Sequence, residues 1–351
     1  MFLLGLRTSV PPRRFSQAEC LEALRRANPP QVSRRARALL EGILGHDHGI
    51  DRRALALDDL GECFDLDPDT LHRRFAHHAP ALASDAARKA LSEAGVTAKD
   101  VDAVLVSTCT GYLCPGLTSY VAERLGLRTD ALNLDLVGQG CGAALPNLRT
   151  ADALIASGRA RNVLCVCVEV CSAAFYLDDD MGVLVSACIF GDGAAAAVVS
   201  DKPKAGAPRV EWRAFASMQD PAQRDALRFE QRGGMLRNVL TLPVPKLAAR
   251  HASALLRETL DAHEVSRDAI RAWIMHAGGR KVLEELRREL ELGPRELGWS
   301  AAMLREYGNL SSPFVLFALR AALDGGAPKG TWWMSSFGAG FTCHGALMEV
   351  A

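Results

Sequence analysis

The feature that most constrains the fold of this chain is an internal repetition. In the first half, a predicted strand ends just before Thr108, and a glycine-rich turn later carries Cys141 into a helix. In the second half, a predicted strand ends just before His276, and a turn carries Asn309 into a helix. The separation is 168 residues both from Thr108 to His276 and from Cys141 to Asn309. Repetition of one supersecondary plan predicts two similar α/β halves.

The two halves are expected to meet at one linker. Residues 201–208 contain proline, glycine and lysine without helix or strand periodicity, which is typical of a connection. We therefore assign residues 1–202 to an N-terminal half that carries the cysteine, and residues 209–351 to a C-terminal half that carries the histidine and the asparagine. Two such halves predict a layered α/β/α/β/α fold in which equivalent helix starts face one central site.

The composition indicates a globular protein with a large core. The 351 residues are 49% hydrophobic and 23% charged, and the formal net charge is zero, so charge gives no reason to expect nucleic-acid binding. No apolar run approaches the roughly 18 residues of a membrane span. The N-terminus lacks the apolar core and basic leader of a signal peptide. Because the ten cysteines show no regular spacing, we expect reduced thiols and a cytoplasmic location.

A metal site is not expected. His46, Asp47 and His48 are adjacent, but no third ligand cluster lies near them in the sequence, so a solvated turn is the preferred interpretation. Cys165 and Cys167 alternate within a valine-rich run, which is typical of packing in a strand.

Cys141 occupies the turn between a predicted strand and a predicted helix. The apolar run 131–137 predicts a buried strand, and the helix-forming segment 143–157 follows a glycine-rich turn. Backbone N–H groups at a helix N-terminus favour negative charge, and a thiol there can react as a thiolate. From this stretch alone, a buried and inert cysteine is an equally good alternative.

His276 and Asn309 are the partners that a nucleophilic Cys141 needs. A protonated imidazole beside a thiolate would form an ion pair. His276 and Asn309 can also both donate hydrogen bonds to one carbonyl oxygen, which makes an oxyanion or enolate site. The alternatives are a core histidine at a strand end and an asparagine that caps a helix. The shared separation of 168 residues favours the joint site.

Five ordered segments resemble one enzyme family. They are GQGCGAALP around Cys141, IFGDGAA around Phe190, WIMHAGG around His276, EYGNLSS around Asn309 and SFGAG around Phe337. Together they resemble the signatures of type III polyketide synthases, the chalcone-synthase-like branch of the thiolase superfamily, over residues 84–351. The bacterial enzymes that make alkylpyrones or alkylresorcinols from fatty acyl-CoA are the most similar branch.

The resemblance implies a homodimeric condensing enzyme of thiolase-like fold, whose substrates are CoA thioesters and which needs no separate cofactor. Acyl-CoA would load its acyl group onto Cys141. Malonyl-CoA would then be decarboxylated while His276 and Asn309 stabilise the enolate. Attack of the enolate on the thioester would extend the chain by one acetate unit, and the product would cyclise after several rounds to an alkylpyrone or an alkylresorcinol-like compound.

The resemblance also assigns the walls of the substrate cavity. Phe190 corresponds to the family's gatekeeping phenylalanine, and Arg237 stands where plant enzymes have a second one. Phe337 lies in the C-terminal loop that shapes the cavity, which here lacks the family's proline. The remaining wall positions are Cys109, Cys114, Glu169, Cys171, Ala174, Ser311 and Gly338. Of these, Cys114 would reach across the dimer interface into the partner's cavity.

Three of these positions favour an aliphatic starter. Plant enzymes line the cavity with threonines where this chain has Cys109, Cys171 and Ala174. Exchange of hydroxyls for apolar or smaller groups favours a long acyl chain over an aromatic phenylpropanoid. For the CoA phosphates, Arg52 and Arg53 are the candidates, with the basic run 34–37 as an alternative.

Other activities remain open from the sequence. An initiating ketoacyl-carrier-protein synthase shares the cysteine, histidine and asparagine, but it would take malonyl from a carrier protein and stop after one extension. A thiolase would need a second catalytic cysteine, and a hydroxymethylglutaryl-CoA synthase would need a catalytic glutamate. A catalytically silent paralogue that binds acyl-CoA is disfavoured by the intact Cys141, His276 and Asn309.

Overall fold

Alternating strands and helices build both halves of the molecule, which the computed structural model describes for residues 1–30, 32–65, 67–177, 179–206 and 208–351. The N-terminal half contains strands β1 (Phe2–Ser9), β2 (Arg14–Ser16), β3 (Arg52–Ala54), β4 (Ala103–Ser107), β5 (Leu132–Leu136), β6 (Asn162–Glu169) and β7 (Gly193–Ser200). Its helices are α1 (Gln17–Ala27), α2 (Arg34–Gly45), α3 (Pro68–Ala94), α4 (Leu117–Leu125), α5 (Ala144–Ala156) and α6 (Met181–Ile189). The C-terminal half contains β8 (Val210–Gln219), β9 (Leu227–Arg232), β10 (Met235–Leu240), β11 (Ile270–Met275), β12 (Gly330–Gly338) and β13 (Thr342–Val350). Its helices are α7 (Val244–Ala262), α8 (Arg280–Glu289), α9 (Gly298–Tyr307) and α10 (Phe314–Asp324).

The strand order of the main sheet shows the duplication. The N-terminal half has the order β5-β4-β6-β7-β1, and the C-terminal half has β11-β12-β13-β8. In both halves parallel strands are followed by two antiparallel ones: β4 is parallel to β6, β11 is parallel to β12, and β7 and β13 run antiparallel to both of their neighbours. The pair Phe2–Glu211 joins the two halves of the sheet. Since β4 ends at Ser107 and β11 at Met275, the predicted repetition is confirmed.

Alternate residues of each strand pack on opposite faces and so define the layers. On β4, Val104 packs with α3 and α4, whereas Leu105 packs with α5. On β12, Trp333 packs with α7 and α8, whereas Trp332 packs in the central cluster that contains α5 and α10. The order is therefore α3/α4, sheet, α5/α10, sheet, α7/α8, and the predicted five-layered α/β/α/β/α fold is confirmed.

Two serines differ in their relation to a helix. Ser16 and Glu19 form a capping box at the start of α1. Ser84 lies inside α3, where its hydroxyl donates to the Pro80 carbonyl (2.7 Å), and Asp67 caps that helix. Within the described ranges, none of the helices combines the length and the apolar character that crossing a membrane requires.

The strand that leads to Cys141 is not buried as the sequence predicted. β5 is an edge strand of the main sheet, and most of its residues are exposed or half-buried. Leu132 is 42% exposed and Val137, just after the strand, is 53% exposed. An apolar run in a sequence is compatible both with a buried central strand and with an edge strand whose apolar side chains are exposed in a single chain.

Candidate active site

Close contacts between the two halves hold the turn that carries Cys141. Residues Gly140–Gly142 form a single 3-10 turn between β5 and α5. A Cβ on Gly338, at the end of β12, would lie only 2.2 Å from the carbonyl oxygen of Gln139 and 2.7 Å from the amide nitrogen of Gly142. Glycine at position 338 therefore lets the C-terminal half pack backbone to backbone on the cysteine turn.

Ser311 contacts the thiol of Cys141 directly. Its Oγ lies 3.3 Å from Sγ of Cys141 and donates to it. The backbone of Ser311 has φ +58°, a left-handed conformation that is uncommon for serine, and its N–H donates to Oδ1 of Asn309 at 2.8 Å. Burial raises the pKa of Cys141 to about 12, and the Ser311 hydroxyl opposes that shift. Ser311 thus favours the thiolate, the form that attacks a thioester.

Glu169 lies behind this contact as a buried carboxylate at the end of β6. It accepts hydrogen bonds from the backbone N–H groups of Cys109 and Thr110, the Cys109 thiol, and the hydroxyls of Thr108, Thr110 and Ser312, and the Ser311 hydroxyl can donate to it instead of to Cys141. Burial raises the pKa of Glu169, and the hydrogen bonds oppose that rise. Because the Ser311 Oγ is 3.4 Å from Oε1 of Glu169, its hydroxyl links the Cys141 thiol to a proton acceptor.

His276 is enclosed by aromatic rings. It follows β11, and its backbone N–H donates to the Ser335 carbonyl at 2.8 Å. The rings of Phe314 and Phe337 stand edge-on to the imidazole, with centroids 5.3 and 5.0 Å away. Neither ring nitrogen has a hydrogen-bond partner in the described part of the chain, and burial lowers the pKa of His276 to about 3. The imidazole is therefore neutral, so one ring nitrogen carries an N–H that can donate and the other can accept.

Asn309 is fixed by its backbone and by both ends of its amide. Its N–H donates to the Ile189 carbonyl (2.8 Å), and its carbonyl accepts from the Gly191 N–H (3.0 Å). These two hydrogen bonds form a parallel bridge between Asn309 and Phe190. Its Oδ1 accepts from Ser311, and its Nδ2 donates to the Gly278 carbonyl at 3.2 Å. Since Nδ2 has two N–H groups, one remains to donate to a substrate oxygen.

These contacts bring the three predicted residues together. Ser311 touches Cys141 and Asn309, and Asn309 holds Gly278, two residues after His276. The ionisation state differs from the sequence-based prediction: burial favours the neutral thiol and the neutral imidazole, not an ion pair. A neutral imidazole and an amide can both donate to an oxygen on which negative charge develops.

Two family models match most of the chain. The N-terminal domain model of chalcone and stilbene synthases matches residues 68–203, and the C-terminal domain model matches residues 226–350. The chain belongs to the chalcone and stilbene synthase family. It is a type III polyketide synthase, an enzyme that performs decarboxylative Claisen condensation.

Relatives match this type III polyketide synthase over nearly its whole length. It is 31% identical to the 3,5-dihydroxyphenylacetyl-CoA synthase of Amycolatopsis balhimycina and 32% identical to the 1,3,6,8-tetrahydroxynaphthalene synthase of Streptomyces peucetius subsp. caesius, in each case over 98% of this chain and 92% of the relative. The crystal structure of PKS-I from the brown alga Ectocarpus siliculosus superposes with a TM-score of 0.90 at 27% identity, over 99% of this chain and 98% of that one.

Most of the predicted cavity residues of the synthase surround Cys141. Phe190 and Cys171 pack with Cys141 in one apolar cluster. The Cys109 sulfur lies 3.3 Å from both Glu169 Oε1 and Ser311 Oγ. Phe337 stacks edge-on to His276, and Gly338 supports the Cys141 turn, as described above. Ala174 ends the 3-10 turn Cys171–Ala174 and is half-buried, whereas Cys114 is exposed on the surface of this chain.

Arg237 takes part in an ion-pair network at the start of α6. Its guanidinium pairs with Glu230 on β9 (2.9 Å) and with Asp180, which also caps α6 through the N–H groups of Gly182 and Val183. The β9–β10 hairpin is thereby tied to the start of α6, the helix that Phe190 follows. Arg237 and Phe190 therefore lie at opposite ends of α6.

The prediction that Arg53 binds CoA was wrong. Arg53 is 2% exposed and donates to the carbonyls of Ala187 and Phe190, to Oε1 of Gln17 and to the sulfur of Cys20. These acceptors use four of its five N–H donors, so Arg53 holds the backbone of Ala187 and Phe190 and is not available to a phosphate. Arg52 is exposed and pairs with Glu306 (3.4 Å).

Sequence reasoning missed residues that support the site. Thr110 and Ser312 bind Glu169, and Phe314 packs on His276. Ser312 and Phe314 follow Asn309 in the sequence, so the start of α10 was a usable signal for them. Thr110 gave no signal, because its role depends on Glu169 from another strand.

Proposed function

We propose that this synthase loads an aliphatic acyl group from acyl-CoA onto Cys141, extends it with malonyl-CoA and releases an alkylpyrone or alkylresorcinol-like product. The convergence of Cys141, His276 and Asn309 on one buried site carries the proposal. The aliphatic starter is supported by Cys171, which packs in the apolar cluster of Cys141, and by the lack of a hydroxyl at Cys109 and Ala174. Wall positions without hydroxyls offer a polar aromatic starter few hydrogen bonds.

The loading step uses the thiol and the neutral imidazole. The Cys141 sulfur attacks the carbonyl carbon of acyl-CoA, with the thiol proton passing through the Ser311 hydroxyl toward Glu169. Negative charge that develops on the carbonyl oxygen is stabilised by the N–H group of His276. The bond to the CoA sulfur then breaks, and CoA takes up the proton as it leaves.

The extension step uses the imidazole of His276 and also the amide of Asn309 on malonyl-CoA. The bond to the carboxylate carbon breaks, carbon dioxide leaves, and the electron pair forms an enolate whose oxygen accepts from His276 and Asn309. The enolate carbon attacks the Cys141 thioester, a carbon–carbon bond forms, and the Cys141 sulfur leaves as a thiolate. Neutral donors suit this role, because they gain strength as charge develops and do not bind a ground-state carboxylate as strongly as a cation would.

A starter screen tests the function as a whole. Purified enzyme with malonyl-CoA and a series of acyl-CoA starters, without any carrier protein, is expected to release carbon dioxide and to form pyrones or resorcinols that mass spectrometry identifies. Absence of product with every starter would contradict the proposal. Products that appear only with malonyl-carrier protein would favour an initiating ketoacyl-carrier-protein synthase.

A second product class is suggested by the relatives. The names of the two bacterial relatives describe polyhydroxylated aromatic compounds. If malonyl-CoA alone, without any other starter, gives a polyhydroxylated aromatic product at the highest rate, this alternative is the better description of the enzyme.

We place the CoA phosphates at Arg280 and Arg305. Arg280 begins α8 immediately after Gly279 and donates to the Asp47 carbonyl at 2.8 Å, and Arg305 pairs with Asp51 at 2.8 Å. Arg280 follows Gly278, the partner of Asn309, by two residues and also pairs with Glu284 at 2.8 Å, and the side chains of Arg280 and Arg305 are both exposed. Arg280→Ala is expected to raise the KM for malonyl-CoA about tenfold with little change in kcat, because a charged hydrogen bond contributes about 1.5–3 kcal/mol. Arg288→Ala, at the other end of α8, is the matched control.

We also expect a homodimer that forms at the β5 edge, in a cytoplasmic enzyme. Leu132, Val137 and Tyr112 (68% exposed) present apolar surface at or near this edge strand, where unpaired backbone groups favour pairing with another chain. All ten cysteines are free thiols, as in a reducing compartment. Light scattering should give the mass of a dimer for the wild type, and Val137→Asp should shift it toward a monomer. A monomeric wild type would contradict this expectation.

A further inference from the structure

A small apolar cavity lies under the N-terminal helices of the synthase. It has a volume of about 50 Å³ and lies between α1, α2, the 3-10 helix Leu60–Phe64, the segment after β3, and α6. Its walls are aliphatic and aromatic side chains and the thiols of Cys20, Cys63 and Cys188, together with Arg53. Free cysteines behave as small hydrophobic groups.

Among the described residues, Arg53 is the only charged side chain that lines this cavity, and most of its N–H donors are bound to the protein. Four of the five N–H donors of Arg53 are bound to acceptors of the protein, as described above. The thiol of Cys188 is 1% exposed, and burial raises its pKa to about 12, as expected in dry surroundings. A polar or charged group that entered the cavity would lose its hydrogen bonds to water without replacing them. A hydrocarbon makes no hydrogen bonds to water and therefore has no such cost.

The cavity adjoins the catalytic cysteine. Leu55 and Phe175 line it, and the same two side chains pack in the apolar cluster of Cys141, Cys171 and Phe190. The cavity is therefore one layer of side chains away from the cluster that surrounds the reactive sulfur. A second cleft, of about 430 Å³ between α7 and α8, is lined by Arg257, Asp261 and Arg267 and belongs to the other side of the molecule.

We propose that the cavity under α1 and α2 receives the distal end of the alkyl chain whose thioester is held on Cys141. This inference rests on the proposed function, since it requires an acyl group on that cysteine. The volume of the cavity limits which chain ends can enter it. An apolar cavity that binds benzene measures about 150 Å³. A cavity one third as large therefore accommodates the end of an alkyl chain but not an aromatic ring. The site thus selects straight-chain aliphatic starters.

The loading rate should report each carbon that enters the cavity. Burial of one methylene contributes about 0.8 kcal/mol, which corresponds to about a fourfold gain in kcat/KM per carbon until the cavity is full. In the wild type, kcat/KM for loading of Cys141 is measured over straight-chain acyl-CoAs of increasing length from acetyl-CoA upward. The value of kcat/KM should rise with chain length and stop rising at the length at which the cavity is full.

Two substitutions should change that chain length in opposite directions. Ala23, half-buried on α1, lines the cavity, so Ala23→Phe should fill it and reduce kcat/KM for the longest accepted starters at least tenfold while acetyl-CoA loads as before. Leu60→Ala should enlarge the cavity, so that kcat/KM continues to rise to longer acyl chains than in the wild type. Ala18→Phe, at an exposed position on the same helix, is the matched control.

A photolabel locates the chain end directly. An acyl-CoA with a diazirine at its terminal carbon is loaded onto Cys141 and irradiated, and the labelled peptides are identified. Label in α1, in α2 or in the 3-10 helix Leu60–Phe64 is expected. Label confined to the loop 109–116, or a length profile that neither substitution changes, would overturn the inference while the enzyme still condenses. If no acyl group of any length loads, the proposed function itself fails.

Discussion

The hydroxyl of Ser311 lies 3.3 Å from the sulfur of Cys141, although Ser311 must adopt a left-handed backbone conformation to reach it. Such a conformation costs about 1–3 kcal/mol for a residue other than glycine, and it persists where the surroundings impose it. Here the Asn309 side chain imposes it through the Ser311 N–H. The residue that would bind the enolate therefore also positions the hydroxyl that contacts the nucleophile.

Removal of this hydroxyl should slow the thiol. Because Ser311 lowers the pKa of Cys141, Ser311→Ala should slow alkylation of Cys141 by iodoacetamide roughly tenfold at pH 8, as expected for loss of a hydrogen bond to a charged group. Mass spectrometry of the Cys141 peptide measures the rate. Ser311→Gly removes the hydroxyl and also relieves the backbone, so it should be equally slow. If Cys141 of the glycine variant is alkylated as fast as in the wild type, the slow alkylation of Ser311→Ala results from backbone strain at position 311 and not from loss of the hydroxyl.

Loss of the Asn309 amide should separate extension from loading. Asn309→Ala removes one donor to the enolate oxygen, and loss of one such donor typically costs about 10²–10³ in rate. Release of carbon dioxide from malonyl-CoA should therefore fall by that factor. Acylation of Cys141 by an acyl-CoA, followed by intact mass, should fall much less. Unchanged decarboxylation would remove Asn309 from the enolate site.

The sequence predicted the framework because local patterns determine it. The strands predicted to end just before Thr108 and His276 are β4 and β11, which end at Ser107 and Met275. Equal separations then revealed the two-fold plan and the convergence of Cys141 with Asn309 before any contact was known. The β5 edge was misjudged, because its exposure depends on the absence of a neighbouring strand in the described sheet and not on its own residues.

The chemistry of the site was less predictable. The neutral state of His276 results from enclosure by Phe314 and Phe337, which come from two different elements of the C-terminal half. The sequence does not reveal that Arg53 is buried, because two of its acceptors are the backbone carbonyls of Ala187 and Phe190, and backbone acceptors are not identified by residue type.

Acid should destabilise the fold through buried histidines. His344 is 6% exposed, its Nδ1 contacts the Ser217 hydroxyl, and burial and nearby Arg149 lower its pKa to about 4. The unfolded chain takes up this proton below about pH 6.5, whereas the folded chain does not until about pH 4, so stability is lost as pH falls through that interval. Between pH 7 and pH 5 the loss attributable to His344 is about 2 kcal/mol.

Urea unfolding of His344→Gln tests this loss. The difference in unfolding free energy between pH 7 and pH 5 should shrink by about 2 kcal/mol in the variant relative to the wild type. The same difference in both proteins would mean that His344 is protonated equally in the folded and unfolded states.

The ion pair between Arg237 and Asp180 should contribute to the free energy of unfolding. Both side chains are mostly buried, so their interaction is screened less than a surface pair. Arg237→Met and Asp180→Asn, combined in a double-mutant cycle, should give a coupling energy of about 1–2 kcal/mol. Asparagine keeps the capping function at α6, which isolates the ion pair. A coupling energy near zero would show that α6 is held without Arg237.

Gly338 should be intolerant of even one methyl group. A Cβ there would lie 2.2 Å from the Gln139 carbonyl oxygen, so Gly338→Ala must displace the turn of Cys141. Because a shift of about 1 Å at a reacting group can cost 10²-fold, acylation of Cys141 should fall by about that factor in protein that remains folded by circular dichroism. Gly42→Ala is the matched control: a Cβ at position 42, inside α2, would have none of the described neighbouring atoms within 4 Å, and alanine there should stabilise the helix by about 1 kcal/mol without effect on acylation. Wild-type acylation by Gly338→Ala would mean that the cysteine turn can move without loss of function.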